Sequence, residues 1–553
     1  DGGGAQWLFN GVTGQTPSQS PSQLGDGLFN DASGNQWGLT ESSRSITGES
    51  LGVTTSGDTT NTFKALLKAA SGKGATLKGG IYTVSDEMVI DTSGSTLKSS
   101  NDVYISIRQK TDGKASLKVS PPNPELGEEI NLVSLDKVRA LRASSTANQT
   151  GIKLYSTKSI RIGKLSSLGA HCALDIKGIT GANMDSLLLF AGGGTITYSA
   201  NTSLIKFGGY PLSGGGYTPA WPANIDNIHC SASFLCDHVI QLGSADGLNI
   251  NNGYLASPKK SHYHFSPEGN NQGVANVFTS NVYLDGINST NGSEHAITVE
   301  PTAFTGTYVA NVKFTGGGAN NFTSDVIKVT GQSPDIEFTN FNLINAQGYG
   351  VNASSTSGKL KFMGGKWDDL NQGSASGAAT ITGIKLAKIC GVTLSNTADG
   401  ITLTNNSQTS VNYNDFINVT NELTVTGSSK HRQVGNTSSL SDIPDNASES
   451  GTWLPVIKFG GANIGVTYNV RTGSYQRVGD FIMFESTIKL SSKGTSTGSM
   501  FISGLPISAA NESSGSADIR VMNASVSTPT QLLILGNGLS LSTIASGTRT
   551  TLT

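Results

Sequence analysis

The stretch that opens at His238 constrains the fold more than any other, because one pattern recurs in it four times. The segments read HVIQL-GSAD-GLNINNGYL, HYHF-SPEGNNQG-VANVFTSNVYLDG, HAITV-EPTAFTGTY-VANVKFTGG and DVIKV-TGQSP-DIEFTNFNL. Each holds an apolar–x–apolar beat, a short turn and a second alternating strand. Aligned on the first strand, Val239, Tyr263, Ile297 and Ile327 share a column. A side-chain period of two marks a strand. Strand patterns repeated with turns of unequal length mark the coils of a parallel β-helix, whose inward side chains stack into one apolar column. No single coil can bury its own face, so many are needed. Matching beats precede the four (GIKLYSTKSIRIGKL, CALDIKGITGANMDSLLLF, SLIKFGG) and follow them (GVNASSTSGKLKFMGG, GIKLAKICGVTLSN, GITLTNNSQTSVNYNDF).

Composition agrees with short strands joined by turns. The 553 residues include 69 Gly, and only 14% are charged, whereas helical chains favour Ala, Leu, Glu and Lys. A formal charge of −2 supplies no basic field, so nucleic acid is not an expected partner. No apolar run reaches the length of a membrane span, so no membrane insertion is expected, and no signal peptide opens the chain. A start at Asp1 without Met reads as a fragment or a processed product. Cys172, Cys230, Cys236 and Cys390 lack zinc-ligand spacing and are expected as small buried hydrophobes of a protein folded in a reducing cytosol.

In chain order, residues 1–55 form a turn-rich segment; its LGDGLFNDASGNQW loosely suggests a calcium loop but lacks the EF-hand acidic spacing. Residues 56–426 carry the β-helix. At its entry, Thr60 or Asn61 is expected to cap a short helix with one apolar stripe of Phe63, Leu66, Leu67 and Ala70. Such a helix would cover the open strand edges of a solenoid. YPLSGGGYTPAWPAN (210–224) and LASPKKS (255–261) read as insertions into the stack. Residues 427–450 have linker composition, and 451–553 change to strands joined by Gly turns, as in a β-sandwich.

Carboxylates gather just after the first strand of the central coils: Asp246, Glu268 and Glu300. Equivalent positions on adjacent coils lie about 4.8 Å apart. Glycoside hydrolysis uses two carboxyl groups, roughly 5–5.5 Å apart for retention and 6.5–9.5 Å for inversion. One coil or two would supply either. Like charges held close raise a pKa, as a general acid requires. Glu300 is the first expected catalytic residue, with Asp246 or Glu268 as partner. Asp285 and His295 are expected to face the groove, Lys259 and Lys260 to contact substrate, and Tyr217 and Trp221 to stack on sugar rings. Trp367 and Tyr349 are further stacking candidates, and Asp368–Asp369 a rival acidic point. His262 and His264 would share a strand face, but no third ligand accompanies them, so no metal or cofactor is expected.

Two stretches resemble known families. Gly57-Asp58, Phe63–Ala70, Gly72–Gly74 and Gly80-Ile81-Tyr82-Thr83-Val84 resemble the entry module of pectate-lyase-like right-handed β-helices, without that module's usual run of Asp. Gly451-Thr452-Trp453-x-Pro455, the Gly473-x-Tyr475 turn and Val478-Gly479-Asp480 resemble the small C-terminal β-sandwich of phage tail fibres and tailspikes. Together the chain resembles a bacteriophage tailspike lacking its N-terminal virion-binding domain. The resemblance implies an all-β homotrimer on the virion tail, folded in the host cytoplasm and acting outside it. It further implies that the spike binds and hydrolyses a capsular polysaccharide or exopolysaccharide. Two other functions stay open: a polysaccharide lyase using Lys259, Lys260 or His295, and an adhesin that binds glycan without cutting it.

Overall fold

A computed structural model describes residues 45–439 except 49–50, 143–149, 192–201, 219, 221, 270–271, 288–291, 301–303, 305, 332–333, 356 and 371–376. Outside that span it describes 7–9, 28–30, 36–39, 448–478, 481–498, 500–504, 513–515, 531–535, 538–545 and 548–551. Trp221 therefore lies outside the described residues, as does most of the 1–55 segment with its calcium-like loop. The chain forms two compact units: residues 1–431 with 435–443, and 432–434 with 444–553.

The first unit is a parallel β-helix. Among the described residues, one hydrogen-bonded sheet of 37 strands makes up the coils, its strands pairing in parallel with their counterparts one coil away. Helix α1 (Thr60–Ala69) stands at its start, burying Phe63, Ala65, Leu66 and Leu67. The capping side chain lies two residues before Thr60, because Thr59 at the N-cap makes no side-chain capping bond. The Asp58 carboxylate accepts the Thr60 backbone N–H at 3.0 Å, so Asp58 does the work expected of Thr60 or Asn61.

One face of the helix concerns the site. Its strands are β1 (Thr150–Tyr155), β2 (Cys172–Lys177), β3 (Ser203–Gly208), β4 (His238–Leu242), β5 (Ser261–Phe265), β6 (His295–Val299) and β7 (Ile327–Thr330). Its inward column runs Leu174, Ile205, Ile240, Tyr263, Ile297 and Ile327. Ile240, not Val239, is the member from β4. The slip has a cause at the start of these strands. Ala296 and Ile297 both donate to the Val326 carbonyl, at 2.8 and 3.1 Å, which is the signature of a β-bulge. The extra residue turns Val239 and His262 inward beside the true column, and both are fully buried. His262 and His264 therefore do not share a face: His262 packs edge-on against Phe322, while His264 looks outward.

Farther along, Phe314, Phe338 and Phe362 stack at 5.1 and 4.8 Å, and Trp367 meets Phe362 edge-on at 5.1 Å. Trp367 is fully buried, so it serves the core and cannot stack on a sugar. Many corners are turned by Asn in the left-handed region, including Asn276 and Asn311 (both φ 51°). Gly would suit that backbone, but the amide adds a bond to the next coil: Asn311 Nδ2 donates to Asn276 Oδ1. Residues 257–260 are a corner between strands turned by left-handed Ser257 (φ 60°), and not an insertion. In 210–218 the chain does leave the stack, as a hairpin pairing Tyr210 with Thr218 and Pro211 with Tyr217. The ladder of the first unit continues through the strand Thr437–Ser438, paired with Asp415–Phe416, inside the stretch read as linker. Cys172, Cys230 and Cys236 are buried free thiols, and Cys390 is half-buried.

Among the described residues, the second unit has two antiparallel sheets, of three and six strands. Gly473 and Tyr475 lie within the strand Thr467–Val478 rather than in a turn, opposite Trp453 and Gly451. Gly is required at 473 because the Trp453 indole covers it: an added Cβ would sit 2.3 Å from Nε1. Gly479 and Asp480 lie outside the described residues.

Candidate functional site

Because β1–β7 stack in register, their outward side chains form rows about 4.8 Å apart. One row reads Lys153, Asp175, Lys206, Gln241, His264, Thr298, Lys328. Another reads Tyr155, Lys177, Gly208. These rows bring Lys153, Asp175, Lys177, Lys206 and His264 onto one face of the β-helix.

Glu268 follows β5, and its N–H donates to the Gly243 carbonyl at 3.2 Å. From there its side chain folds back across two coils. A Cβ on Gly243 would lie 2.4 Å from the Glu268 carboxyl carbon, and one on Gly208 would lie 2.7 Å from Oε2. Two glycines thus cradle the carboxyl beside Lys177, Lys206 and Asp175. Burial pushes the Glu268 pKa above the usual carboxylate range; Lys177 and Lys206 pull it partly back, and the charge of Asp175 raises it again. The raised pKa agrees in direction with the sequence expectation, but its causes are burial and Asp175, not Asp246 or Glu300.

Asp175 is 9% exposed. Its Oδ2 accepts a hydrogen bond from the Tyr155 hydroxyl, while Oδ1 is buried with no partner among the described residues. Burial, reinforced by Asp175, pushes the Tyr155 phenol upward, so it stays protonated as a donor. Lys177 Nζ lies 5.7 Å from the Tyr155 ring centre, and Tyr210 packs on that ring at 5.4 Å. The hairpin that brings Tyr210 also brings Tyr217, whose ring edge lies 3.2 Å from where a Cβ on Gly269 would be, next to Glu268. Tyr217 is 41% exposed. Lys177 and Lys206 make no ion pair among the described residues.

Two coils on, the same face holds imidazoles. His238 and His264 stack at 4.0 Å with planes 6° apart. His238 Nδ1 bonds Ser261 Oγ at 2.7 Å, and His264 Nδ1 bonds Thr298 Oγ1 at 2.9 Å. Burial lowers the pKa of both rings, and the nearby charge of Glu300 offsets this for His264. Lys260 pairs with Asp237 at 3.0 Å, and Lys259 is exposed. His295 is buried, its Nδ1 donating to the Asp325 carbonyl at 2.6 Å.

The three carboxylates read from sequence do not share one edge. Glu268 and Glu300 belong to this face. Asp246 pairs with Ala275 on a different ladder and accepts from Asn276 Nδ2 at 2.7 Å, heading the amide row that Asn311 continues. Asp285 lies on a neighbouring face, where it accepts from Tyr254 (2.7 Å), Ile287 N–H (2.7 Å) and Asn321 (3.1 Å). Asp368 likewise accepts from Ser395 (2.6 Å) and Asn396 (2.9 Å). An acidic residue at the head of an amide row is a structural device of this fold. Asp175, Tyr155, Lys177 and Lys206 escaped sequence reasoning, although one signal was present: the charges in CALDIK and SLIKF fall at outward-facing parity.

No protein-family model matches the chain, and no curated protein sequence does. Among solved structures, it is similar to the enzymatically active domain of bacteriophage CBA120 tailspike protein 2, with 13% identity and a TM-score of 0.40 over 99% of this chain and 78% of that one. It is also similar to a tailspike protein of Acinetobacter baumannii bacteriophage Fri1, a capsular polysaccharide depolymerase (10% identity, TM-score 0.37, 99% and 94% covered). The Streptococcus pneumoniae surface protein and adhesin PfbA gives 11% identity and a TM-score of 0.39 over 71% of this chain and 99% of that chain. Likeness at this level assigns no function, and the functional reading rests on the side chains.

Proposed function

We propose that the chain is a phage tailspike that binds a bacterial surface polysaccharide and hydrolyses it between sugars. Glu268 is the general acid and Asp175 the second carboxylate. The observation that carries this reading is the pairing of a carboxyl whose pKa burial raises with a buried carboxylate oxygen that has no partner among the described residues. Gly208, over which the Glu268 carboxyl rests, and Asp175, one coil and two residues away, lie roughly 8 Å apart along a backbone diagonal. In this reading Asp175 activates water while Glu268 protonates the leaving oxygen. Water adds across the glycosidic bond: its hydroxyl goes to the anomeric carbon, and its proton to Asp175. Tyr155 positions Asp175. Glu300, beside His264, and the exposed Tyr217 ring contact flanking sugars. Homotrimeric assembly, with attachment to the virion through a further domain, belongs to the same reading.

A lyase is the second reading, because Lys177 and Lys206 could neutralise a uronate and a neutral His264 could remove a proton. The experiment is mass spectrometry of the products from purified capsular polysaccharide. Fragments heavier by one water, absent with Glu268→Gln or Asp175→Asn, support hydrolysis. Unsaturated fragments without added water would replace hydrolysis by elimination, and an uncut polymer would leave an adhesin.

A further inference from the structure

Around the corner from β1–β7, a second outward row runs His229, Tyr254, Tyr283, Gly318, Asn342. The row beside it reads Asp285, Asn320, Ile344. Side chains fill the first row except at Gly318, which leaves a notch. Tyr283 walls one side and Asn342 the other, where an added Cβ on Gly318 would meet the Asn342 carbonyl at 2.9 Å. The cavity has a volume of about 450 Å³, and no basic residue lines it. That size is ordinary for a small-molecule site, as is a mainly apolar lining with few polar groups.

The aromatic wall is preorganised. Tyr254 donates its hydroxyl to Asp285 Oδ2 at 2.7 Å, and Asp285 Oδ1 is held by the Ile287 N–H and Asn321. Asp285 is thereby spent on orienting Tyr254. Tyr283, next in the row, shows 58% of its surface. The Asn320 side chain is exposed, and Asn342 uses its Oδ1 on the Lys366 N–H while its amide NH₂ has no partner among the described residues. A flat ring with donors at the rim matches one chemical class. A pyranose has an apolar C–H face for the ring and equatorial hydroxyls for the amides. A peptide would find no charge to pair with beyond an Asp already occupied.

We infer that this notch is a second glycan-binding site, taking an uncharged pyranose unit that stacks on Tyr283 and bonds Asn320 and Asn342. It rests on the reading of the chain as a glycan-binding protein but not on Glu268 or Asp175. A site on a separate face would hold the polymer while the other face cuts it.

The test is calorimetric titration of the Glu268→Gln chain with neutral oligomers of glucose, galactose and N-acetylglucosamine, and with uronic-acid oligomers. At least one neutral oligomer binds, and adding Tyr283→Ala weakens it about tenfold or more, as expected for a lost aromatic anchor. Asn320→Ala weakens it less. Three results would overturn the inference: no neutral oligomer bound, binding unchanged by Tyr283→Ala, or a Tyr283→Ala chain whose mass by light scattering has fallen, which would make the notch a contact between copies. Failure of the catalytic reading is separate, because it is read from products and not from binding.

Discussion

The carboxyl of Glu268 fills the space where a side chain on Gly208 would begin, with Oε2 2.7 Å from that Cβ position. Residues sixty positions apart in sequence thus form one half of the proposed catalytic centre, and the glycine is as necessary to it as the acid.

Gly208 has an extended backbone that Ala adopts without strain, so Gly208→Ala tests the cradle alone. We expect the variant to fold with an unchanged circular dichroism spectrum and melting temperature. Its kcat should fall at least tenfold as the Glu268 carboxyl is pushed out of its cradle over Gly208. An unchanged kcat would remove Glu268 from the reaction.

The pH profile follows from the same group. A general acid works protonated, so activity declines as pH rises through the Glu268 pKa, which lies above the usual range. Lys206 favours the ionised form and therefore lowers that pKa. Lys206→Met should shift the alkaline limb of kcat upward in pH. A limb that stays in place or moves down would contradict the assignment.

Asp246→Asn should leave depolymerisation within about twofold of the parent, because Asn can join the amide row that Asp246 heads with Asn276 and Asn311. Release of reducing ends is the assay. Loss of activity with the fold intact would return Asp246 to the catalytic group.

Phe338 lies between Phe314 and Phe362 in the core stack and is 1% exposed. Phe338→Ala removes a ring from a site that cannot collapse, and should cost about 3–5 kcal/mol of stability. Denaturant unfolding of the isolated chain measures it. A cost below about 1 kcal/mol would mean that the neighbouring coils relax into the gap.

Much of the fold was legible because solenoid strands repeat locally. The beats HVIQL, HYHF and HAITV need only side-chain parity to be read as strands, and Tyr263 was correctly placed inward. Register was not so legible. The bulge that opens these strands adds one residue to the inward side, so parity alone puts Val239 where Ile240 stands and gives His262 and His264 a face they do not share. Within the candidate site, Glu268 was found because it sits beside the repeat. Asp175 was passed over because CALDIK looks like any other strand until its neighbours are stacked on it.

The sequence alone determined that the chain is a coiled parallel sheet with a helix at its start and a different strand pattern at its end. Those features depend on period, turn residues and apolar content, all local properties of the chain. Which carboxylates meet was decided only by tertiary structure. Proximity in a β-helix is set by the number of coils between two residues and by the direction a long side chain takes over a glycine. Asp246 is nearer than Asp175 to Glu268 in sequence, yet it bonds Asn276 on another ladder, while the charge of Asp175 bears on Glu268 across the stacked strands.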